Sequence, residues 1–183
     1  MSAHLAFQTR HDMNRRLNYG IVFIAGCLVS ATAWANCTSA LSAGTCSATV
    51  SATPLAFGSY NPGSSTAKSV TSTVTVSATL TGVSLLTTIG YSISLGGGVT
   101  GVVANRQMAG GTGGQSLGYN LYTTGNYDVV WGIDGVTDSM TAIATVLGTR
   151  MSKTHTVYGR VPEGQYLPPG SNYSDTIVVT VNY

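Results

Sequence analysis

The sequence predicts an all-β sandwich, on three observations. Apolar residues alternate with Ser and Thr in short runs, and no segment sustains a 3.6-residue apolar period. Gly, Asn-Pro and Pro-Pro-Gly punctuation separates the runs. The composition agrees: 23 glycines, only 8% charged residues and abundant Thr, Ser and Val suit half-buried pleats joined by tight turns. The Gly and Ser are interleaved with Val, Ile, Leu and Tyr at strand spacing, enough to build the core of a domain of about 150 residues.

The first 35 residues read as an export leader rather than as part of that domain. Arg15 and Arg16 supply a positive region, Ile21 to Val29 an apolar run, and Ala33-Trp34-Ala35 a small-x-small cleavage site. Met13 is an alternative start, because Met13 to Ala35 is already a complete leader and the twelve residues before it add nothing to it. The apolar run is interrupted by Gly20 and Gly26 and is short for a permanent membrane span. Ile24-Ala25-Gly26-Cys27 has the spelling of a lipoprotein processing site, but the apolar stretch continues beyond Cys27 to Trp34, which disfavours lipidation. The chain therefore divides into a leader, 1–35, and one domain, 36–183.

Removing the leader removes the net charge. Lys68, Arg106, Arg150, Lys153 and Arg160 then balance Asp128, Asp134, Asp138, Glu163 and Asp175. A neutral domain with so few charges offers no basic patch, so nucleic acid is not an expected partner. Two cysteines remain, Cys37 and Cys46, and an exported protein with an even count normally pairs them. A loop this short would contribute about 2 to 3 kcal/mol if unstrained. With His155 the single histidine of the domain, the ligands for a structural or catalytic zinc site are lacking, and no cofactor is expected.

Strand candidates follow in order. Cys46 to Pro54 comes first, then a turn-rich stretch from Phe57 to Gly63, then Val70 to Leu80, whose Val70, Val74, Val76, Ala78 and Leu80 alternate against Thr and Ser. Ile89, Tyr91, Ile93 and Leu95 form the next apolar face, ended by Gly96-Gly97-Gly98. From Gly96 to Gly118 the glycine content predicts a long loop or a weak edge strand. Leu117, Tyr119 and Leu121 alternate next, followed by candidates at Tyr127 to Trp131, Ala142 to Leu147 and Thr154 to Val161. Pro162 and Pro168-Pro169-Gly170 separate these from the last strand, Tyr173 to Tyr183. There Tyr173, Ile177, Val179, Val181 and Tyr183 share one face, and only Asp175 and Val178 break the alternation. Such a strand presents a backbone edge on which another polypeptide can dock.

Signals for catalysis are weak. Gly114-Gln115-Ser116-Leu117-Gly118 matches a hydrolase nucleophile elbow, and Asp134 and His155 follow in the order of a triad. An elbow joins a strand to a helix, whereas this one leaves a glycine run and enters a strand, so the motif reads as a hairpin approach and the protein as a non-enzyme. The glycine clusters lack the lysine and the strand-to-helix setting of a phosphate loop. Most of the ten tyrosines fall at strand ends or alternate with apolar residues, as packing residues with a polar tip do.

Several strings together carry a resemblance. They are Leu55-Ala56-Phe57-Gly58-Ser59-Tyr60 with Pro62, Tyr91-Ser92-Ile93-Ser94-Leu95, Arg106-Gln107-Met108, Leu117-Gly118-Tyr119-Asn120-Leu121-Tyr122 and Val130-Trp131-Gly132. Tyr158-Gly159-Arg160-Val161-Pro162, Gly164-Gln165, Tyr173-Ser174-Asp175-Thr176-Ile177 and the terminal Val179-Thr180-Val181-Asn182-Tyr183 complete the set. In this order they resemble the spore coat protein U domain family, which includes subunits of archaic chaperone-usher pili. The resemblance implies an incomplete immunoglobulin-like sandwich lacking its last strand, with a groove beside the carboxy-terminal strand. A periplasmic pilus chaperone would fill the groove first, and another pilin subunit's extension would replace it at an outer-membrane usher, by donor-strand addition. Ile177, Val179, Val181 and Tyr183 are then the expected groove residues, and the expected location is the cell surface, in a pilus or coat supporting adhesion and biofilm formation.

Two departures stand out. Many members of the family place a second cysteine near Ser77 or Ala78, whereas here Cys46 has Cys37 for its expected partner. Asn36 to Thr45 also offers little beyond Leu41 as an alternating donor segment, which implies a subunit that accepts a strand but donates poorly. The competing readings are a freestanding module that binds surface carbohydrate through its glycine-rich loops and tyrosines and, last, an esterase built on Ser116.

Overall fold

Alternation is what places the strands. In the longest of them, Ser72, Val74, Val76, Ala78 and Leu80 are buried while the Thr and Ser between them stay partly exposed. The computed structural model describes residues 2–11, 31–35, 44–82, 86–110, 114–143, 145–167 and 172–183. Eleven strands are formed: β1 (Ser2–His11), β2 (Ala31–Ala35), β3 (Gly44–Ala52), β4 (Leu55–Ser59), β5 (Lys68–Gly82) and β6 (Leu86–Leu95), then β7 (Arg106–Gly110), β8 (Ser116–Tyr122), β9 (Val136–Ile143), β10 (Thr149–Val161) and β11 (Asn172–Asn182).

They form two layers around one core. One layer runs β2-β3-β5-β10, with β10 pairing β5 along its whole length, from Thr149↔Leu80 to Val161↔Lys68. The other runs β4-β1-β11, with β6 and β7 lying end to end along the far side of β11 and β9 outside β6. β8 joins the layers, pairing β7 through Ser116–Tyr119 and β10 through Asn120–Tyr122. The inward faces supply a single apolar cluster that includes Val74, Val76, Val157, Leu55, Phe57, Ile93, Leu95, Ile177 and Val179. On the outer faces, threonine pairs bridge strands, Thr75 with Thr154 at 2.9 Å and Thr88 with Thr141 at 2.8 Å. The protein is thus an all-β sandwich, as its alternation predicts.

Several boundaries differ from the sequence reading. The turn-rich stretch after Pro54 begins with a strand, β4, because Leu55 and Phe57 point into the core and only Gly58, at φ +67°, starts to turn the chain. Tyr127 to Trp131 is not a strand. Tyr127 adopts φ +59° and its N–H bonds back to Thr124, so this stretch is a turn whose strand-like pairing with the sheet is the isolated Tyr122–Val130 bridge. The strand expected over Ala142 to Leu147 lies earlier, at β9, and Gly148 at φ +87° closes a turn whose N–H bonds to Thr145. The glycine-rich region holds two short 3-10 turns (Gly98–Thr100 and Val103–Asn105) and then β7, which is not the expected edge strand because β8 and β11 pair it on both sides.

Parts of the leader-like region also join the sheets. β2 pairs antiparallel with β3, Ala33 opposite Ala48, and β1 lies between β11 and β4. The backbone of residues 2–11 and 31–35 is therefore integral to the two layers of the full chain.

Candidate strand-accepting groove

β11 carries the geometry of interest. Tyr173, Asp175, Ile177, Val179 and Val181 alternate inward and are all buried, whereas Asn172, Ser174, Thr176 and Asn182 face out. Its near side is paired antiparallel, Tyr173↔Gly110 and Ser174↔Ala109 with β7, then Val179↔Leu95 to Asn182↔Ser92 with β6. Its other side meets only β1, which runs parallel to it from Ser2↔Asn172 to His11↔Val181. β1 in turn pairs antiparallel with β4, Ser2↔Ser59 and Leu5↔Leu55, across a shift of register at Ala3 and His4. Level with Asn172 to Asp175, β4 and β11 are thus the walls of a slot one strand wide, which at a strand spacing of about 4.8 Å holds them about 10 Å apart; beyond Asp175, β1 is paired with β11 alone among the described residues.

All four residues expected to line this groove lie on β11 or directly after it. Ile177, Val179 and Val181 are fully buried in the common core, and Tyr183 packs against it half-buried, its phenol pKa raised by burial. From β4, Leu55 and Phe57 add the facing apolar wall. Behind them Gly159 of β10 leaves the space that these side chains use. A Cβ there would stand 2.8 Å from Leu55 Cδ1 and 3.0 Å from Phe57 Cζ.

The start of β11 is held by a buried polar network. Arg106 is fully buried, and its guanidinium donates to the carbonyls of Gly96 at 2.9 Å, Leu95 at 2.9 Å and Trp131 at 2.7 Å and to Asn120 Oδ1 at 2.6 Å. Desolvation lowers its pKa to about 10, against the opposing fields of Tyr119, Asp175 and Tyr122. Asp175 accepts from the Val99 N–H at 2.8 Å and from the Tyr119 hydroxyl at 2.7 Å. Burial first, then the bond to Asp175, raises the Tyr119 pKa, so the phenol stays a donor. Trp131 completes the set, its indole N–H bonding the Ile93 carbonyl at 2.8 Å. Only glycine fits at position 98, φ +64°, because a Cβ there would overlap the Asp175 carboxylate.

These residues position rather than react, since every polar atom of the guanidinium and carboxylate that is described here is directed at the protein's own backbone or side chains. Sequence reading named Asn120 only within a matching string, and Arg106, Tyr119 and Trp131 beyond such strings only in the charge balance, a strand alternation and a strand candidate, never together as a site. Its one further signal was Asp175, a charged residue on the inward face of an otherwise apolar alternation.

The other candidates separate. Ser116 donates to Gln107 Oε1 at 2.6 Å, while His155 Nε2 lies 2.9 Å from the Tyr91 hydroxyl and 3.6 Å from Asp138 Oδ2. The histidine is thus gathered with Tyr91 and Asp138, and Ser116 with Gln107. Cys46 is buried and disulfide-bonded, and Cys37, its expected partner, lies outside the described residues. Among the described residues no group of three His, Cys, Asp or Glu is placed to hold a metal ion.

The chain is thus an all-β sandwich whose strand β11 is bordered on one side by β1. The Spore Coat Protein U domain model matches residues 24–180, nearly the whole chain, and the protein belongs to that family. No curated protein matches the chain.

Proposed function

We propose that the domain 36–183 is a structural subunit, secreted through the periplasm to the cell surface, of a chaperone-usher type pilus or coat. It works without catalysis, by accepting an extended strand between β4 and β11. The observation that carries this reading is the slot itself. Among the described residues, the edge of β11 on the side facing β4 is bordered by no strand from the domain, and in the full chain an extended segment from the leader region occupies it.

Family membership supports the chemistry of the partner. The groove calls for a strand with apolar side chains at alternate positions, supplied first by a periplasmic chaperone and then by another pilin subunit at the outer-membrane usher. Backbone bonds to β11 and β4 give affinity, and alternate side chains over Ile177, Val179 and Val181 set the register. Burying four or five such side chains would contribute about 6 to 15 kcal/mol before ordering costs, comparable to the stability of a domain. Basic chaperone residues would hold the carboxylate of Tyr183. Adhesion and biofilm formation are the roles that follow from such a fibre.

Co-expression with the cognate chaperone tests the reading. Wild-type protein is expected to co-purify with the chaperone, Val179→Asp to lose it and Thr180→Asp, on the outer face, to keep it. Soluble monomeric Val179→Asp, or co-purification indifferent to both changes, would refute the groove mechanism.

A further inference from the structure

The occupant of the slot carries information that an export leader does not require. A leader needs positive charge and an apolar run, yet residues 2–11, upstream of both, form a ten-residue strand. Their sequence places Ala3, Leu5 and Phe7 at one set of alternate positions and Ser2, His4, Gln8 and Arg10 at the other. The ladder with β11 sets position 3 level with Tyr173, 5 with Asp175, 7 with Ile177 and 9 with Val179, the residues of β11 that face the core. Apolar Ala3, Leu5 and Phe7 thus share a register with inward Tyr173, Asp175 and Ile177, and Thr9 and His11 with inward Val179 and Val181, while His4, Gln8 and Arg10 are level with Ser174, Val178 and Thr180 and Ala6 with Thr176. The ladder covers nearly the full length of β11, while the short β4 is paired from position 59 to 55. The nineteen residues between β1 and β2 can reach about 60 Å when extended, ample to return the chain to β3.

We infer that Ser2–His11 is a built-in donor strand, so that the unprocessed chain is self-capped and loss of the leader uncaps it. This inference rests on the groove reading above. Cleavage after Ala35 would remove β1 and β2 together, opening the slot between β4 and β11 and the outer edge of β3 in one step. Before that step an external strand competes with an intramolecular one, whose tether gives it a high effective concentration. The parallel sense of β1 fixes what it imitates: a donor running in the same direction as β11, with Phe7 at the position level with Ile177.

Amide hydrogen exchange on the unexported full chain tests this directly, with a synthetic peptide of residues 2–11 as the probe. In the wild type, amides of residues 3–10 and of Ile177–Val181 are expected to exchange at least about tenfold more slowly than in Phe7→Asp, and the chain should not bind the peptide. His4→Asp, at the position level with exposed Ser174, is expected to behave as wild type. Phe7→Asp should expose the β11 amides while those of β5 and β10 remain protected, and should bind the peptide.

A wild type with unprotected β11 amides that binds the peptide would overturn self-capping and leave the groove reading intact. β11 amides protected in both proteins, with no peptide bound by either, would overturn both. The wild-type measurement decides even where Phe7→Asp does not fold, because fast exchange at residues 3–10 by itself contradicts the pairing.

Discussion

β5 and β11 are the two long strands at the centre of their layers, and they are held differently. β5 is flanked on both sides by strands from the domain, β3 and β10, each pairing with it over most of its length. β11 is flanked on one side by β6 and β7, and on the other by a strand from the leader region. Both strands bury a continuous row of side chains. Burial alone therefore does not distinguish a finished strand from one that needs a partner; the origin of the neighbouring backbone does. Both layers include a strand from the leader region, but in the β5 layer it lies outside β3 and leaves β5's own neighbours in the domain, whereas in the β11 layer it lies directly beside β11.

Within β11 the contrast repeats. Its first half is fixed by the network of Arg106, Asn120, Tyr119 and Asp175, whose bonds come entirely from the domain. Its second half, from Ile177 to Val181, buries an apolar row, and β1 runs beside both halves. The polar network ties the start of the strand to β7, β8 and the turn at Val99.

The largest expected effect comes from breaking the fixed half. Arg106→Met would remove the guanidinium donors from three backbone carbonyls and one of the two donors from Asn120 Oδ1, which keeps the Leu121 N–H, at a cost of about 3 to 5 kcal/mol. Urea denaturation should show it in processed and full-length protein alike. A loss confined to the full-length chain would place the network's importance in the leader strand instead.

The facing wall of the slot is more tolerant. Gly159→Ala introduces a Cβ against Leu55 and Phe57, and overpacking of this kind costs about 1 to 3 kcal/mol. Because the displaced side chains belong to β4, donor binding should weaken along with stability. Unchanged donor affinity in this variant would show that β4 is not a wall of the accepting site.

The smallest effect lies at the edge away from the slot, where His155 meets Tyr91 and Asp138. Burial lowers the His155 pKa, opposed by Asp138 and aided by Lys153, while Tyr91 is raised to about 12 by burial and then by Asp138. A folded pKa below the unfolded value of about 6.5 means that the unfolded chain binds more protons. The contribution is therefore present above about pH 6.5 and is lost as the pH falls from there toward the folded value. In processed protein, where His155 is the single histidine, thermal melts of His155→Gln should show a flatter decline between pH 7 and 5 than wild type. Asp138, lowered by its bond from Lys153 and by the Ser139 N–H, acts in a separate window, below its ordinary value. A variant with the same slope as wild type would assign the decline to other groups.

Much of the sandwich was legible because period-2 alternation survives in β3, β5, β6, β8 and β11, where one face meets the core and the other meets water. It failed where apolar residues serve turns. Val129 and Val130 look like strand residues but lie in the segment turned by Tyr127, and Val146 and Leu147 are exposed in the turn after β9. The inward row of Ile177, Val179 and Val181 could be read because it alternates with Val178 and Thr180 along a single strand. The Arg106 network could not be assembled, since its members are distant in sequence and converge only through the pairing of β7, β8 and β11. β1 was missed for another reason: residues ahead of a leader are read as part of the address, and their alternation was not weighed as structure.

Exchange of the Ile177–Val181 amides in processed protein, Asn36 to Tyr183, measured alone and in complex with its chaperone, tests the central claim most directly. The account predicts fast exchange on the side of β11 facing β4 in the free protein and strong protection in the complex, with β5 protected in both. Equal protection of β11 in the free and complexed protein would contradict it, because the domain would then close its own sheet without a borrowed strand.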